Sequence, residues 1–234
     1  MNEIIIFTDG ASRGNPGPGG WASVIIDNEK VVELGGREER TTNNRMEMMA
    51  VLKAFEQIKN TDKNIKIFLD SGYVLNGATK WIKGWKNRGW ITTQKEEVLN
   101  RDLWEKISDL VEALENRIEW KLIPGHAGII GNERVDEIST DFADGKKPDL
   151  FSGDIKNYPV KNILNVDFSQ NKLVKKNNSK LQAYSYVSLV DGKIETCATW
   201  AECEKRVKGK PAKFKKAVSA EDEKNIIEEF ENLR

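Results

Sequence analysis

Apolar residues along the first 145 positions fall into short, bounded runs. Ile4–Phe7 is an unbroken β-branched and aromatic run, which predicts a strand buried on both faces. It stops at Thr8-Asp9-Gly10. The Gly/Pro-rich stretch from Gly14 to Gly20 predicts a turn, and Trp21–Ile26 a second strand. Asp27–Lys30 turn the chain into a third strand at Val31–Leu34, a hairpin pattern. Asn44 with Glu47 three residues later marks a helix start, and Val51, Leu52, Phe55 and Ile58 supply its apolar stripe. Ile65–Leu69 is another strand that stops at an acid, Asp70. A helix over 101–116, a strand at Ile118–Ile123, a loop at Pro124–Gly128 and a last helix from Asn132, with Val135, Ile138 and Phe142 inside, complete the pattern. Strands alternating with helices after an initial meander predict a mixed α/β sheet.

Beyond Gly145-Lys146-Lys147-Pro148 the pattern weakens. Polar residues dominate to about 180, and Lys175–Lys180 is the clearest linker. Phe151, Tyr158 and Ile163 are the side chains in this stretch able to dock back onto the preceding domain. Alternation returns at Tyr184–Val190. An Asp191-Gly192 turn, a strand to Cys197, a helix capped by Thr199 with Glu202 three residues on, a strand at Lys213–Val218 and a terminal amphipathic helix follow. The expected organisation is a domain over 1–146, a linker over 147–181 and a small ββαβα domain over 182–234.

Length and composition narrow the function classes. The chain has 234 residues, with 37 Lys plus Arg balanced by 37 Asp plus Glu. A neutral chain is not a basic nucleic-acid coat protein. Charge is nevertheless uneven: 71–95 carry Lys80, Lys83, Lys86, Arg88 and Lys95 without an acid, and 172–216 are strongly basic. Two basic islands suggest two contacts with a polyanion; a solvated surface is the plainer reading of either alone. No apolar run approaches the ~18 residues of a membrane span. The N-terminus lacks a basic, cleavable leader, so a cytoplasmic location without membrane contact is expected. Cys197 and Cys203 make neither a disulfide framework nor a zinc site.

Four acids stand where chemistry is plausible. Asp9 and Asp70 each end a buried strand, so parallel pairing of those strands would bring both out at one sheet edge. Glu47 shares the helix face of Val51, Phe55 and Ile58, where an uncompensated carboxylate is costly. Asp136 neighbours the inward-facing Val135. Gathered carboxylates repel, and a divalent ion relieves them; all-oxygen ligation suits Mg²⁺ or Mn²⁺. Two such ions ~3.5–4 Å apart form the clamp used to attack a phosphodiester. Each acid also has a structural explanation: Glu47 as the N3 member of a capping box, Asp9 and Asp70 as turn formers, Asp136 as a helix-dipole acid. His126, the single histidine, stands in a Gly-flanked loop suited to moving protons. Lys80–Trp90 interleaves cations with aromatics; Trp81 and Trp85 read as inward rings, Lys86 and Arg88 as outward cations facing phosphates.

Phe7-Thr8-Asp9-Gly10, Gly14-Asn15-Pro16-Gly17, Thr41 to Glu47, Asp70-Ser71-Gly72-Tyr73-Val74, Trp81 to Trp90, Gly125-His126-Ala127-Gly128 and Asn132 to Asp136 resemble, in order and spacing, type 1 ribonuclease H. The resemblance covers about residues 1–145. It implies a ribonuclease H-like mixed five-stranded sheet with helices on both faces, and an endonuclease that cuts the RNA strand of RNA–DNA hybrids with two Mg²⁺ ions, or Mn²⁺. It further implies that Asp9, Glu47, Asp70 and Asp136 bind metal and that His126 transfers protons. Asn15, Asn43 and Asn44 would contact the hybrid and its 2′-hydroxyls. Thr42 would hold a DNA phosphate, and the Trp81–Trp90 segment with Trp85, Lys86 and Arg88 would grip the DNA strand. Gly72, where members often carry an amide or larger residue, and Gly84, where some carry Asn, depart from the pattern. The C-terminal segments Thr199 to Cys203, Val207-Lys208-Gly209 and Lys213 to Lys216 resemble the hybrid-binding module also found in viroplasmin. There Tyr186, Trp200 and Phe214 would pack on deoxyribose and Lys215 and Lys216 would meet phosphate, on hybrid or double-stranded RNA. Leu189 and Val190 replace that module's usual basic pair. A monomer is expected, and deletion beyond about 147 is expected to leave cleavage intact while weakening hybrid binding. A non-catalytic hybrid binder and an integrase-like transferase are the rival readings; the complete acid set disfavours the first, and the Thr42–Asn44 and Gly125-His126 segments the second.

Overall fold

The computed structural model describes residues 3–114, 116–125, 128–166, 183–190, 192–217, 220, 223, 226–227 and 230. The chain divides into two compact units, 1–167 and 168–234.

Unit 1 opens with β1 (Glu3–Ser12), β2 (Gly17–Asp27) and β3 (Lys30–Thr41), followed by α1 (Asn43–Ile58), β4 (Asn64–Leu69), α2 (Gly72–Asn76), a π-turn over Gly77–Trp81 and α3 (Ile82–Asn87). Then come α4 (Arg101–Ala113), β5 (Ile118–Leu122), α5 (Ile130–Ala143) and a short β6 (Ser152–Asp154). The strand order is β5-β4-β1-β2-β3-β6, with β1, β4 and β5 parallel and the others antiparallel. Both faces are covered. Ile4, Ile6, Ile65 and Ile67 pack with α1 and α4 residues such as Val51, Phe55, Leu103 and Trp104. Phe7, Val24 and Phe68 pack with Val135 and Ile138 of α5.

Two differences from the sequence pattern have clear causes. The expected turn at Gly14–Gly20 yields half its length to β2, because glycine there serves close packing. A Cβ on Gly20 would stand 2.1 Å from the Ser139 carbonyl oxygen, so glycine lets α5 lie directly on the sheet. The sheet also has six strands rather than five, the sixth from the stretch expected to be a linker. Residues 147–166 belong to unit 1, and Tyr158 and Ile163 are buried in it. Their anchor is Glu33, a fully buried carboxylate on β3. It receives two bonds from Arg134 (2.7 and 3.0 Å), one from the Tyr158 hydroxyl (2.6 Å) and one from the Phe151 N–H (2.9 Å). Burial alone would raise the pKa of Glu33, but these donors outweigh it and hold the pKa below the usual value. The Lys175–Lys180 linker segment lies outside the described residues.

Unit 2 contains β7 (Ser185–Val190), β8 (Lys193–Cys197), α6 (Trp200–Val207) and β9 (Ala212–Ala217), in sheet order β8-β7-β9. The expected capping box forms: Thr199 accepts from the Glu202 N–H while Glu202 accepts from the Thr199 N–H. Val190, Cys203 and Val207 form a core on one face of β7, and Val187, Ala217, Ile226 and Phe230 on the other. The expected terminal helix falls largely outside the described residues. Among the described residues no helix is long and apolar enough to cross a membrane.

Removing one donor from a buried carboxylate costs about 1–3 kcal/mol. Tyr158→Phe is therefore expected to lower the stability of unit 1 by about that amount. Urea unfolding followed by tryptophan fluorescence measures it, since six of the seven tryptophans lie in unit 1. An unchanged midpoint would mean that the strap 147–166 is not held through Glu33.

Candidate active site

Strand register sets the first two acids side by side. Parallel pairing of β1 with β4 places Phe7 opposite Phe68, so Asp9 and Asp70 each follow two residues beyond an aligned pair. Asp9 does not end its strand, as the sequence pattern suggested: β1 runs on to Ser12, paired with β2. The third acid comes from α1. A Cβ on Gly10 would lie 2.2 Å from the Glu47 backbone nitrogen, so glycine lets the first turns of α1 cross β1 in contact. The helix is capped by Thr42, whose side chain accepts from the Arg45 N–H, and its N3 residue is Arg45. Glu47 is thus not a capping-box partner but projects into the crossing. One oxygen from each of Asp9, Glu47 and Asp70 lies within 4.8 Å of the others.

These carboxylates are held against their own electrostatics. Asp9 and Glu47 are each 6% exposed. Burial, then the nearby charges of Asp70 and Asp136, pushes Asp9 up to about 6, although a Ser139 hydrogen bond pulls it down. Burial, followed by the charges of Asp9 and Asp70, pushes Glu47 well above its ordinary value, with an Asn43 amide at 3.4 Å opposing. Among the described residues no cationic side chain is ion-paired with any of the three. Two buried carboxylates and a half-buried one clustered without a counter-charge suit a hard divalent cation, which would relieve both burial and repulsion. Asp136 lies outside the close triad but lines the same cavity of about 470 Å³, with Arg13, Asn43, Asn132 and Thr140. His126 lies outside the described residues; Gly125, in the same loop, packs against the Asp70 carboxylate.

The remaining expected residues are dispersed. Asn15 is exposed in the β1–β2 turn, and Asn43 and Asn44 are exposed on the first turn of α1. Trp81 and Trp85 join Tyr73 and Trp104 in a ring cluster with centroid spacings of 5.5–6.0 Å. Trp81 remains 39% exposed rather than fully inward. Lys86 and Arg88 are exposed, as expected, but each has a partner: Lys86 pairs with Glu112 and Arg88 donates to the Ile91 carbonyl. In unit 2, Trp200 lies 5.6 Å from Tyr186 and 5.2 Å from Phe214. Trp200 and Phe214 keep 40% and 49% exposure, and Lys215 and Lys216 are exposed on β9 beside Phe214. Sequence reasoning missed Arg13, Asn132, Ser139 and Thr140. Spacing offered one signal, since Ser139 stands three residues after Asp136, on the same helix face.

Residues 1–144 match the sequence model of the RNase H family. A protein named Ribonuclease H from Maricaulis maris is 46% identical, over 63% of this chain and the whole of that protein. Another from an Acidovorax species is 47% identical over 59% of this chain and 93% of its own length. Among solved structures, LC9-RNase H1, described as a type 1 RNase H with the type 2 active-site motif, superposes with a TM-score of 0.55 at 25% identity. The match covers 68% of this chain and 82% of that one.

A carboxyl whose pKa rises on folding weakens the fold as pH climbs from its unfolded value, 3.8 for Asp9, to its folded value near 6. The loss is then constant at higher pH. Asp9→Asn is therefore expected to stabilise the metal-free protein by ~1–3 kcal/mol above pH 6. The gain should vanish near pH 4. Thermal unfolding in chelator across that range checks it; a gain that persists at pH 4 would contradict the electrostatic origin.

Proposed function

The chain belongs to the RNase H family, and on that premise we propose that it cuts the RNA strand of RNA–DNA hybrids by two-metal-ion hydrolysis at the Asp9–Glu47–Asp70–Asp136 cavity. The observation that carries this reading is the unneutralised triad of the buried Asp9 and Glu47 with the half-buried Asp70. Divalent cations, Mg²⁺ or Mn²⁺, would supply there the positive charge that activates water and stabilises the leaving 3′-oxygen. Products would then carry 5′-phosphate and 3′-hydroxyl ends. Asp136, which lines the same cavity, completes the ligand set. His126, ten residues before it in the sequence, is assigned to moving the proton at the scissile phosphate.

Substrate contacts follow from what the surface presents. Asn43 and Asn44 on the open first turn of α1, with Asn15 in the adjacent turn, offer amides to 2′-hydroxyls and the minor groove. Thr42 uses its oxygen as a cap acceptor, and its hydroxyl proton stays available for a DNA phosphate. A groove of about 580 Å³ lined by Lys80, Trp81, Trp85 and Arg88 is assigned to the DNA backbone, with Lys86 on the same helix as Trp85. In unit 2, the Tyr186–Trp200–Phe214 rings present sugar-packing faces and Lys215 and Lys216 the adjoining charge. This surface suits a hybrid or double-stranded RNA, and its tether raises the local concentration of substrate.

Cleavage of a strand-labelled hybrid with Mg²⁺ tests the catalytic reading. Wild type is expected to cut RNA alone, and Asp70→Asn to lose activity while still binding. A wild type that binds without cutting in either Mg²⁺ or Mn²⁺ would leave a binding protein instead. For unit 2, the informative truncation ends at 166, not 147, because the strap completes unit 1. That truncated chain is expected to retain its turnover rate but bind hybrid more weakly, with a shallower dependence on salt. Equal affinity at every salt concentration would remove unit 2 from substrate binding.

A further inference from the structure

Asp9 must present its oxygens to the cluster although the torsion that orients a carboxylate has a broad, shallow preference. Something else has to fix its plane, and Ser139 is placed to do so. The Ser139 hydroxyl lies 2.6 Å from Asp9 Oδ2, on a residue with no solvent exposure. It also lies 3.1 Å from the Asp136 carbonyl oxygen. A serine has one proton to give, and a carboxylate acceptor takes it in preference, since charge-assisted bonds are shorter and roughly twice as strong. The donor itself is anchored, because the Ser139 carbonyl, with Phe142 and Ala143, is pressed against Gly20 of β2. One turn of α5 therefore carries Asp136 and also holds Asp9.

We propose that Ser139 is a positioning residue that locks the Asp9 carboxylate in its metal-receiving orientation and so sets the affinity of the site for divalent cations. The inference rests on the reading of Asp9 as a metal ligand. Partners of this kind, one bond removed from the ion, typically change metal affinity about 10–100-fold when removed.

The test is Mn²⁺ binding to the full chain, with free ion counted by electron paramagnetic resonance, alongside kcat and KM for hybrid. Ser139→Ala and Ser139→Cys, which lose the strong donor at little change in volume, are expected to bind Mn²⁺ about tenfold more weakly or worse. Their KM for hybrid should be unchanged, and activity should recover at high metal concentration. Ser139→Thr keeps the hydroxyl and is expected to bind as wild type does. Wild-type Mn²⁺ affinity in both loss variants would overturn the proposal, as would Ser139→Thr binding as weakly as Ser139→Ala. Asp9→Asn separates the two levels. If it loses Mn²⁺ binding while the loss variants keep it, the role of Ser139 alone fails. If it binds like wild type, Asp9 is no ligand and both readings fall.

Discussion

Mutual repulsion of three carboxylates is the constraint around which unit 1 is arranged. Left to solvent, such groups would separate or protonate. Here the backbone leaves them no such freedom, since their positions are inherited from elements fixed by apolar packing elsewhere. The stacked rings of Phe7 and Phe68, 5.0 Å apart, lock the register that aligns Asp9 with Asp70. The stripe of Val51, Leu52, Phe55 and Ile58 drives α1 onto the sheet, and glycine at position 10 lets it close far enough for Glu47 to arrive. Core energy is spent far from the site to hold a geometry that opposes itself locally, as expected of a functional centre.

A second buried carboxylate shows what a structural acid looks like in the same molecule. Glu33, like Glu47, is shielded from solvent, and burial is the largest single influence on each, yet the pKa of Glu33 moves down while that of Glu47 moves up. The difference lies in the partners. Glu33 faces a guanidinium, a phenol and a backbone N–H, whereas Glu47 faces two other acids, one side-chain amide and the Gly10 backbone N–H, with no cation among them. Burial alone therefore does not mark a site; burial without a counter-charge does.

Much of this was legible in the sequence, and the limits have physical reasons. The strands that present Asp9 and Asp70 were readable because each is a dense β-branched run, and the helix of Glu47 because its apolar stripe has helical period. The cap was misplaced by two residues, since Thr42, Asn43 and Asn44 are all competent N-caps and only the backbone path selects among them. β6 was invisible: Ser152-Gly153-Asp154 has no strand propensity, and its pairing depends on Glu33 and Tyr158, which stand 125 residues apart. Spacing from Asp136 hinted at Ser139, but its role was hidden for a related reason. A serine inside a helix is unremarkable until the neighbouring strand is seen to bring a carboxylate to it.

β6 bears on more than the Glu33 network. It pairs with Lys30, Val31 and Val32, covering the two valines that open β3, while the far end of that outer strand carries Arg37, Glu38, Glu39 and Arg40. A long strand at the margin of a sheet is a template for pairing with another molecule, and proteins blunt it with charge or with a cover. This strand has both, divided along its length: charge where the side chains are polar, a covering strand where they are not. The strap thus also acts as a guard against aggregation, so a chain cut before β6 would keep Asp9, Glu47, Asp70 and Asp136 and still be prone to self-association.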